Sequence, residues 1–287
     1  MKLGYYPGCS LEGTAVDYGI SVKKMAKALG WDLNEIYDWN CCGASAAHQT
    51  NHALSLALPA RNLALAQEQG LTEIFAPCAA CSHRLIQTNH ELSEDKALAG
   101  KINGVIDKDY RGGVRVLNLI EALLEFAPDL ASKITMKFDG LKVACYYGCL
   151  LLRQPKVMKF DDPEQPSTME KITAMLGTEP LDWPFKTECC GAGLSMSGKD
   201  AVVDLTHKVL ENVAYHGAQA IIVACPMCHS NLDMRQINVN QRYSHYDIPI
   251  LYLSQIVGLA LGISAGELGI NKHFTPAAHI AERLIPA

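Results

Sequence analysis

The sequence predicts an α/β protein built from two duplicated Rossmann-like domains, each with a parallel sheet and with cysteines at the C-terminal ends of its strands. Three observations lead there. Short apolar runs of strand length alternate with helical patterns, the order that builds parallel sheets. One spacing of five cysteines occurs twice along the chain. And 287 residues, 49% hydrophobic and 19% charged, suit a folded chain of about two domains and exclude disorder.

Taken in order, residues 3–7 read as a short apolar strand that ends at Cys9. Ala15, Tyr18, Val22, Met25, Ala26 and Leu29 then recur at helical spacing, and Gly30 is placed to stop that helix. Residues 33–37 form a second strand leading into the Cys41-Cys42-Gly43 turn. The next helix ends near Gly70, with Pro59 marking either a kink or its true start. Residues 73–76 make the strand that delivers Cys78. The second half repeats the series: a strand at 142–146, a helix carrying Met169, Ile172, Met175 and Leu176 and stopped by Gly177, a helix carrying Val202, Val209 and Val213 and stopped by Gly217, and a buried strand at 220–223 running into Cys225. The helix-like run 251–263 reads as core packing, with a partner surface as the other reading.

The cysteines define the repeat. Setting Cys145 aside, Cys9 is followed after 31 residues by Cys41-Cys42 and after 35 more by Cys78-x-x-Cys81. Cys149 is followed after 39 residues by Cys189-Cys190 and after 34 more by Cys225-x-x-Cys228. The likeness extends to neighbouring residues: Gly8-Cys9 matches Gly148-Cys149, and Cys42-Gly43-Ala44 matches Cys190-Gly191-Ala192. The seam falls near residues 137–140, giving domains 1–139 and 140–287, and no Gly/Ser/Pro linker separates them. Strand-end loops of open α/β sheets bind ligands, so each half gathers five thiols into one crevice.

Eleven cysteines in a chain without a secretory signal point to metal or redox chemistry rather than disulfides, and to a cytoplasmic location. A structural zinc takes four ligands, one fewer than each set offers. Adjacent cysteines usually diverge, which a cluster of several irons accommodates more readily than one tetrahedral ion. Ordinary iron–sulfur clusters take four cysteines, so a fifth suggests an unusual cluster or a bridging sulfur. Gly43 and Gly191 suit a backbone turning tightly beside an inorganic core.

This pattern, with its paired Cys-Cys-Gly elements, resembles the cysteine-rich CCG domain family found in the B subunit of heterodisulfide reductase, over nearly the whole chain and in both copies. The resemblance implies two noncubane four-iron four-sulfur clusters. It places Cys9, Cys41, Cys42, Cys78 and Cys81 on the first cluster, and Cys149, Cys189, Cys190, Cys225 and Cys228 on the second. It implies a catalytic subunit that reduces a disulfide, nominally the coenzyme M–coenzyme B heterodisulfide of methanogenesis, to two thiols between the clusters. It implies electrons arriving from a ferredoxin-like C subunit, itself fed by a flavin-containing A subunit; this chain has no Gly-x-Gly-x-x-Gly after a strand. Related domains imply two alternatives: a sulfur-oxidation homologue acting on persulfides or protein-bound thiols, and a non-catalytic electron-transfer subunit of a lactate- or glycolate-type dehydrogenase. The run Gly148-Cys149-Leu150-Leu151-Leu152-Arg153 also looks like the family, followed by Gln154-Pro155 in place of an Arg-Pro pair.

Other residues offer less specific chemistry. Arg153 is a candidate anchor for an anionic part of the substrate, with a structural ion pair as the plainer reading. His48 and His207 are candidate proton donors to the departing thiolates, with capping or surface roles as the plainer reading. Lys199 is a candidate anion contact, and His229 a candidate hydrogen-bond donor to cluster sulfur. Cys145 has Tyr5 as its counterpart and reads as a buried strand residue. A net charge of -5 gives no reason to expect nucleic acid. No apolar run reaches the roughly 18 residues of a membrane span; the nearest, 248–263, is broken by Pro249, Ser254 and Gln255.

Overall fold

A computed structural model describes residues 2–44 and 47–287. Its frame is two four-stranded parallel sheets of matching order. The first runs β2 (Asp32–Glu35), β1 (Lys2–Tyr5), β3 (Glu73–Phe75), β4 (Arg115–Leu117). At the seam lies β5 (Met136–Phe138), and the second sheet runs β7 (Glu179–Pro180), β6 (Lys142–Tyr146), β8 (Ala220–Val223), β9 (Ile250–Tyr252). Register matches as well: β1 sits between β2 and β3 with Leu3 opposite Leu33 and Gly4 opposite Ile74, and β6 sits between β7 and β8 with Val143 opposite Pro180 and Ala220. Central strands of parallel sheets are covered on both faces, which is why 220–223 reads as an unbroken apolar run and every residue of it is buried. Every patterned cysteine follows the C-terminal end of a strand or begins the helix after it.

The helices between strands end as the glycines dictate. Gly30, Gly70 and Gly217 each take a positive φ, and the residue after each turns back: Trp31 N–H to Ala26 O, Leu71 N–H to Ala66 O, Ala218 N–H to Val213 O. This is a Schellman close, in which the left-handed residue lets the last carbonyls be satisfied.

Pro59 resolves in an unforeseen way. The helix His52–Glu68 starts seven residues earlier, capped by the Asn51 side chain accepting from Leu54 N–H, and runs through the proline. A proline in a helix interior leaves the carbonyl four residues back without its partner. Here that carbonyl is Ser55 O, and buried Arg84 donates to it from Nη2 at 2.8 Å.

The halves are joined through side chains and a strand. Helix Val16–Leu29 of the first half packs on helix Leu253–Ala260 of the second, which is buried along its whole length, so the run is core. Tyr18 stacks on Tyr252 with ring centroids 4.1 Å apart, and Ser21 and Ser254 share a 2.7 Å hydrogen bond. The C-terminal strand β10 (Leu284–Pro286) pairs antiparallel with β5 at the seam. Among the described residues no helix is long and apolar enough to cross a membrane.

Candidate functional site

Each five-thiol set is assembled by the same backbone devices. Gly8 and Gly148 hold φ near +69° and +64°, and a Cβ there would lie 2.7 Å from Cys81 Sγ and 3.0 Å from Cys228 Sγ. Only glycine brings the strand-end loop that close to a thiol at no steric cost. Cys9 then sits in the short helix Gly8–Glu12. Gly43 and Gly191, both at positive φ, turn the chain so that their N–H groups donate to Cys41 Sγ at 3.4 Å and Cys189 Sγ at 3.3 Å.

The adjacent cysteines each have a partner beyond one another. Exposed Cys41 faces Cys9 at 3.6 Å, whereas buried Cys42 faces Cys81 at 3.4 Å. In the second half Cys189 is exposed, with Cys149 as the main influence on its ionisation, and buried Cys190 faces Cys228 at 3.7 Å. Cys78 and Cys225 are the N-cap residues of helices Ala79–Glu94 and Pro226–Met234, placing each Cys-x-x-Cys at a positive helix end that favours thiolate.

A pair of tyrosines completes the parallel. Tyr6 Oη donates to Asn40 O at 2.7 Å and Tyr146 Oη to Glu188 O at 2.6 Å, so each pins the carbonyl just before a Cys-Cys pair. Burial, then the neighbouring thiols, push both phenols far up, keeping them neutral donors. A third tyrosine joins the sets: buried Tyr18 Oη lies 2.9 Å from Pro77 O and 3.3 Å from Ala224 O, the carbonyls immediately before Cys78 and Cys225.

Proton sharing leaves an easily ionised thiol in each set. Hydrogen bonds from Cys41 and Cys81 hold Cys42 well below the usual thiol range, with Arg84 adding to the effect. A hydrogen bond from Cys149, with Gly191 N–H and the charge of Arg153, brings Cys189 down to about 6. The same sharing pushes Cys41, Cys81, Cys149 and Cys228 up, so without a metal each set holds its protons in common.

The second set opens onto a cavity of about 570 Å³. All five of its thiols lie on the wall, along with Leu150, Leu194, Met196 and Met227. The first half contributes Ala44, Gln49 and Ala79, of which Ala44 follows its Cys-Cys-Gly turn and Ala79 lies within its Cys-x-x-Cys. Among the described residues no side chain of ordinary formal charge lines this space.

The profile of the CCG cysteine-rich domain matches residues 3–86 and again 143–233. The chain belongs to the CCG cysteine-rich domain family, in two copies. One CCG relative is the 8-methylmenaquinol:fumarate reductase membrane anchor subunit of Wolinella succinogenes, 32% identical over 97% of this chain and 99% of its own. Another is the B subunit of the ferredoxin/F420H2-dependent CoB-CoM heterodisulfide reductase of Methanosarcina acetivorans, 32% identical over 95% of this chain and 93% of its own. A hypothetical protein from Helicobacter pylori has the same fold, with a TM-score of 0.78 over 96% of this chain and 52% of that one, at 14% identity. The chain is thus a redox subunit like the B subunit of heterodisulfide reductase, and the CCG family points to iron–sulfur clusters as its cofactor. The donor set fits: each half converges cysteine sulfurs against a glycine that leaves room beside them.

The remaining sequence candidates fall unevenly. Arg153 is exposed near Cys189 and makes no ion pair among the described residues, so the plainer reading is not what is seen. His207 lies away from the cavity wall: its ring stacks on Tyr243 at 3.9 Å and its Nδ1 faces the Tyr246 hydroxyl at 3.3 Å. The side chain of His48 lies outside the described residues. Lys199 is exposed at the start of helix Lys199–Tyr215 and does not line the cavity. His229 turns to Ile250 O at 3.0 Å and stacks on Tyr252, and burial pushes it down to about 3, so it is not a donor to sulfur. Cys145 is fully buried against Thr173. The clips by Tyr6, Tyr146 and Tyr18 and the role of Arg84 were not foreseen; the repeated Tyr-x-Gly-Cys of Tyr6 and Tyr146 was the available signal for the first two.

Proposed function

We propose that Cys9, Cys41, Cys42, Cys78 and Cys81 hold one noncubane iron–sulfur cluster, that Cys149, Cys189, Cys190, Cys225 and Cys228 hold a second, and that the chain is the catalytic subunit of a reductase that cleaves a disulfide. The supporting observation is the cavity: it carries all five thiols of one set and is closed by residues flanking the other. Cleaving a disulfide takes two electrons, breaks one S–S bond and yields two thiolates, which two solvent protons convert to thiols. When bound, such clusters would supply electrons one at a time and Lewis-acid iron for the developing thiolates. The protein's own part is positional. Tyr18 holds the two Cys-x-x-Cys loops at a fixed separation and the apolar wall limits water, while Arg153, exposed near Cys189 and off the cavity wall, would meet an anionic arm that extends out of the cavity. In this reading the halves are domains 1–139 and 140–287, the complex works in the cytoplasm, and electrons reach the chain from a ferredoxin-like subunit fed by a flavin subunit.

The uncharged wall favours a second reading, in which the occupant is a quinol that gives up electrons, as the name of the Wolinella relative suggests for that protein. One assay separates the two. Anaerobically purified protein is given reduced viologen with the coenzyme M–coenzyme B heterodisulfide, and separately a menaquinol analogue. Thiol production supports disulfide reduction. Absence of thiol with quinol-driven bleaching of the cluster absorption rejects it in favour of quinol oxidation.

A further inference from the structure

Outside the thiol sets, three metal-ligating side chains meet where the first half, the second half and the C-terminal segment join. Asp17 comes from helix Val16–Leu29, His229 from helix Pro226–Met234, and His273 follows the single turn Ile270–Lys272. One ligand atom from each lies within 4.8 Å of the others. The His273 side chain is 1% exposed and that of Asp17 12%.

The hydrogen-bond pattern leaves these groups without a proton to share. The Gln255 amide has a fixed orientation, because its Oε1 accepts from Tyr252 N–H at 2.9 Å and its Nε2 donates to Leu268 O. The same Nε2 lies 2.9 Å from His273 Nε2, which must therefore accept. Yet Asp17 Oδ2 is 3.3 Å from that same nitrogen. An imidazole nitrogen that accepts from Gln255 has no proton to give a carboxylate, so the Asp17 carboxylate faces the same nitrogen without a donor from it in a buried place. The second nitrogen of His273, Nδ1, is buried with no hydrogen-bond partner. His229 has its tautomer set from behind: Nε2 can only donate to Ile250 O, which puts the lone pair on Nδ1. Backing of a ligating histidine by a backbone carbonyl is the usual arrangement around bound metals.

We propose that Asp17, His229 and His273 bind a divalent transition-metal ion of the zinc class, separate from the thiol sets. Two imidazoles and one carboxylate suit such an ion, whereas thiolates suit iron–sulfur clusters. A cation would take the His273 Nε2 lone pair in place of the Gln255 N–H, which keeps Leu268 O as its acceptor, would supply the Asp17 carboxylate with a counter-charge, and would cross-link both halves to the C-terminal segment. Rigid neighbours hold the ligands in place: His229 lies between Tyr252 and His273, and Asp233 accepts from Phe274 N–H and Thr275 N–H, both at 2.8 Å, fixing the chain just after His273.

The test uses the anaerobically purified full-length chain with its clusters in place, and zinc alone as the probe. After zinc loading and dialysis against a weak chelator, zinc and iron are counted together and the zinc X-ray absorption edge is recorded. The expected result is about one zinc per chain with nitrogen and oxygen neighbours at about 2.0–2.2 Å. Asp17→Asn and His273→Gln should each lower zinc affinity about tenfold or more while iron stays at the wild-type value, which also reports that the variants are folded. Three results overturn the proposal: no zinc retained by the wild type, equal zinc in wild type and both variants, or sulfur neighbours at about 2.3 Å, which means capture by the cysteines.

Discussion

The two thiol sets are alike in their backbone and unlike in what surrounds them. Gly8 and Gly148, Gly43 and Gly191, and Tyr6 and Tyr146 play the same parts at the same places. Around the first set, buried Arg84 reaches from helix Ala79–Glu94 to the carbonyl freed by Pro59 and places its charge near Cys42. Around the second, the thiols face an apolar cavity and the charge near Cys189 is the exposed Arg153. What the copies share is what any sulfur-bound metal needs: tight turns, helix N-termini and a pinned carbonyl. Where they differ is where substrate and partners would act. In the proposed reading the second set, which lines the cavity, is the one that faces substrate.

Direct damage to one set sharpens this most. Cys42→Ser and Cys190→Ser should each remove about half of the roughly eight irons expected for two four-iron clusters, because each set is contained within one half. Iron and sulfide analysis after anaerobic purification reads the result, and loss of all iron from either variant would break the independence of the sets. Next come the glycines. Alanine at Gly8 or Gly148 meets both a positive φ and a sulfur, with the tighter contact in the first half, 2.7 Å against 3.0 Å. Gly8→Ala should therefore lose more cluster absorbance than Gly148→Ala, and the reverse order would contradict the geometry.

Smaller effects test the surroundings. Arg84→Met leaves Ser55 O buried without a partner, at a cost of about 1–3 kcal/mol. Its unfolding midpoint should fall by about 2–4 °C per kcal/mol, and a midpoint unchanged by calorimetry would mean the proline site is relieved in another way. Least affected should be Cys145→Ser, whose thiol touches Thr173 and no patterned cysteine. Its iron content should match wild type, and a lost cluster would redraw the partition of the cysteines.

Much of this was legible because it is local or repeated. The run 220–223 could only be a buried strand, and two copies of five cysteines announced their own duplication. What escaped depends on contacts between distant residues. Pro59 allowed two readings of its helix, and the outcome rests on Arg84, 29 positions beyond the carbonyl it satisfies. Tyr18 looked like one more apolar position on a helix, yet its hydroxyl also reaches Ala224, 206 positions away. His229 was placed beside sulfur by adjacency to Cys228, but successive side chains on a helix point apart, and its ring turns to β9 instead.

The central claim is that one substrate in the cavity beside the second set depends on both sets. Cys41→Ala and Cys189→Ala, each assayed with reduced viologen and the heterodisulfide while paramagnetic resonance follows the surviving cluster, test it most directly. The account predicts that either substitution abolishes thiol production, while the remaining cluster is still reduced by the viologen. Near-normal turnover in either variant would contradict it.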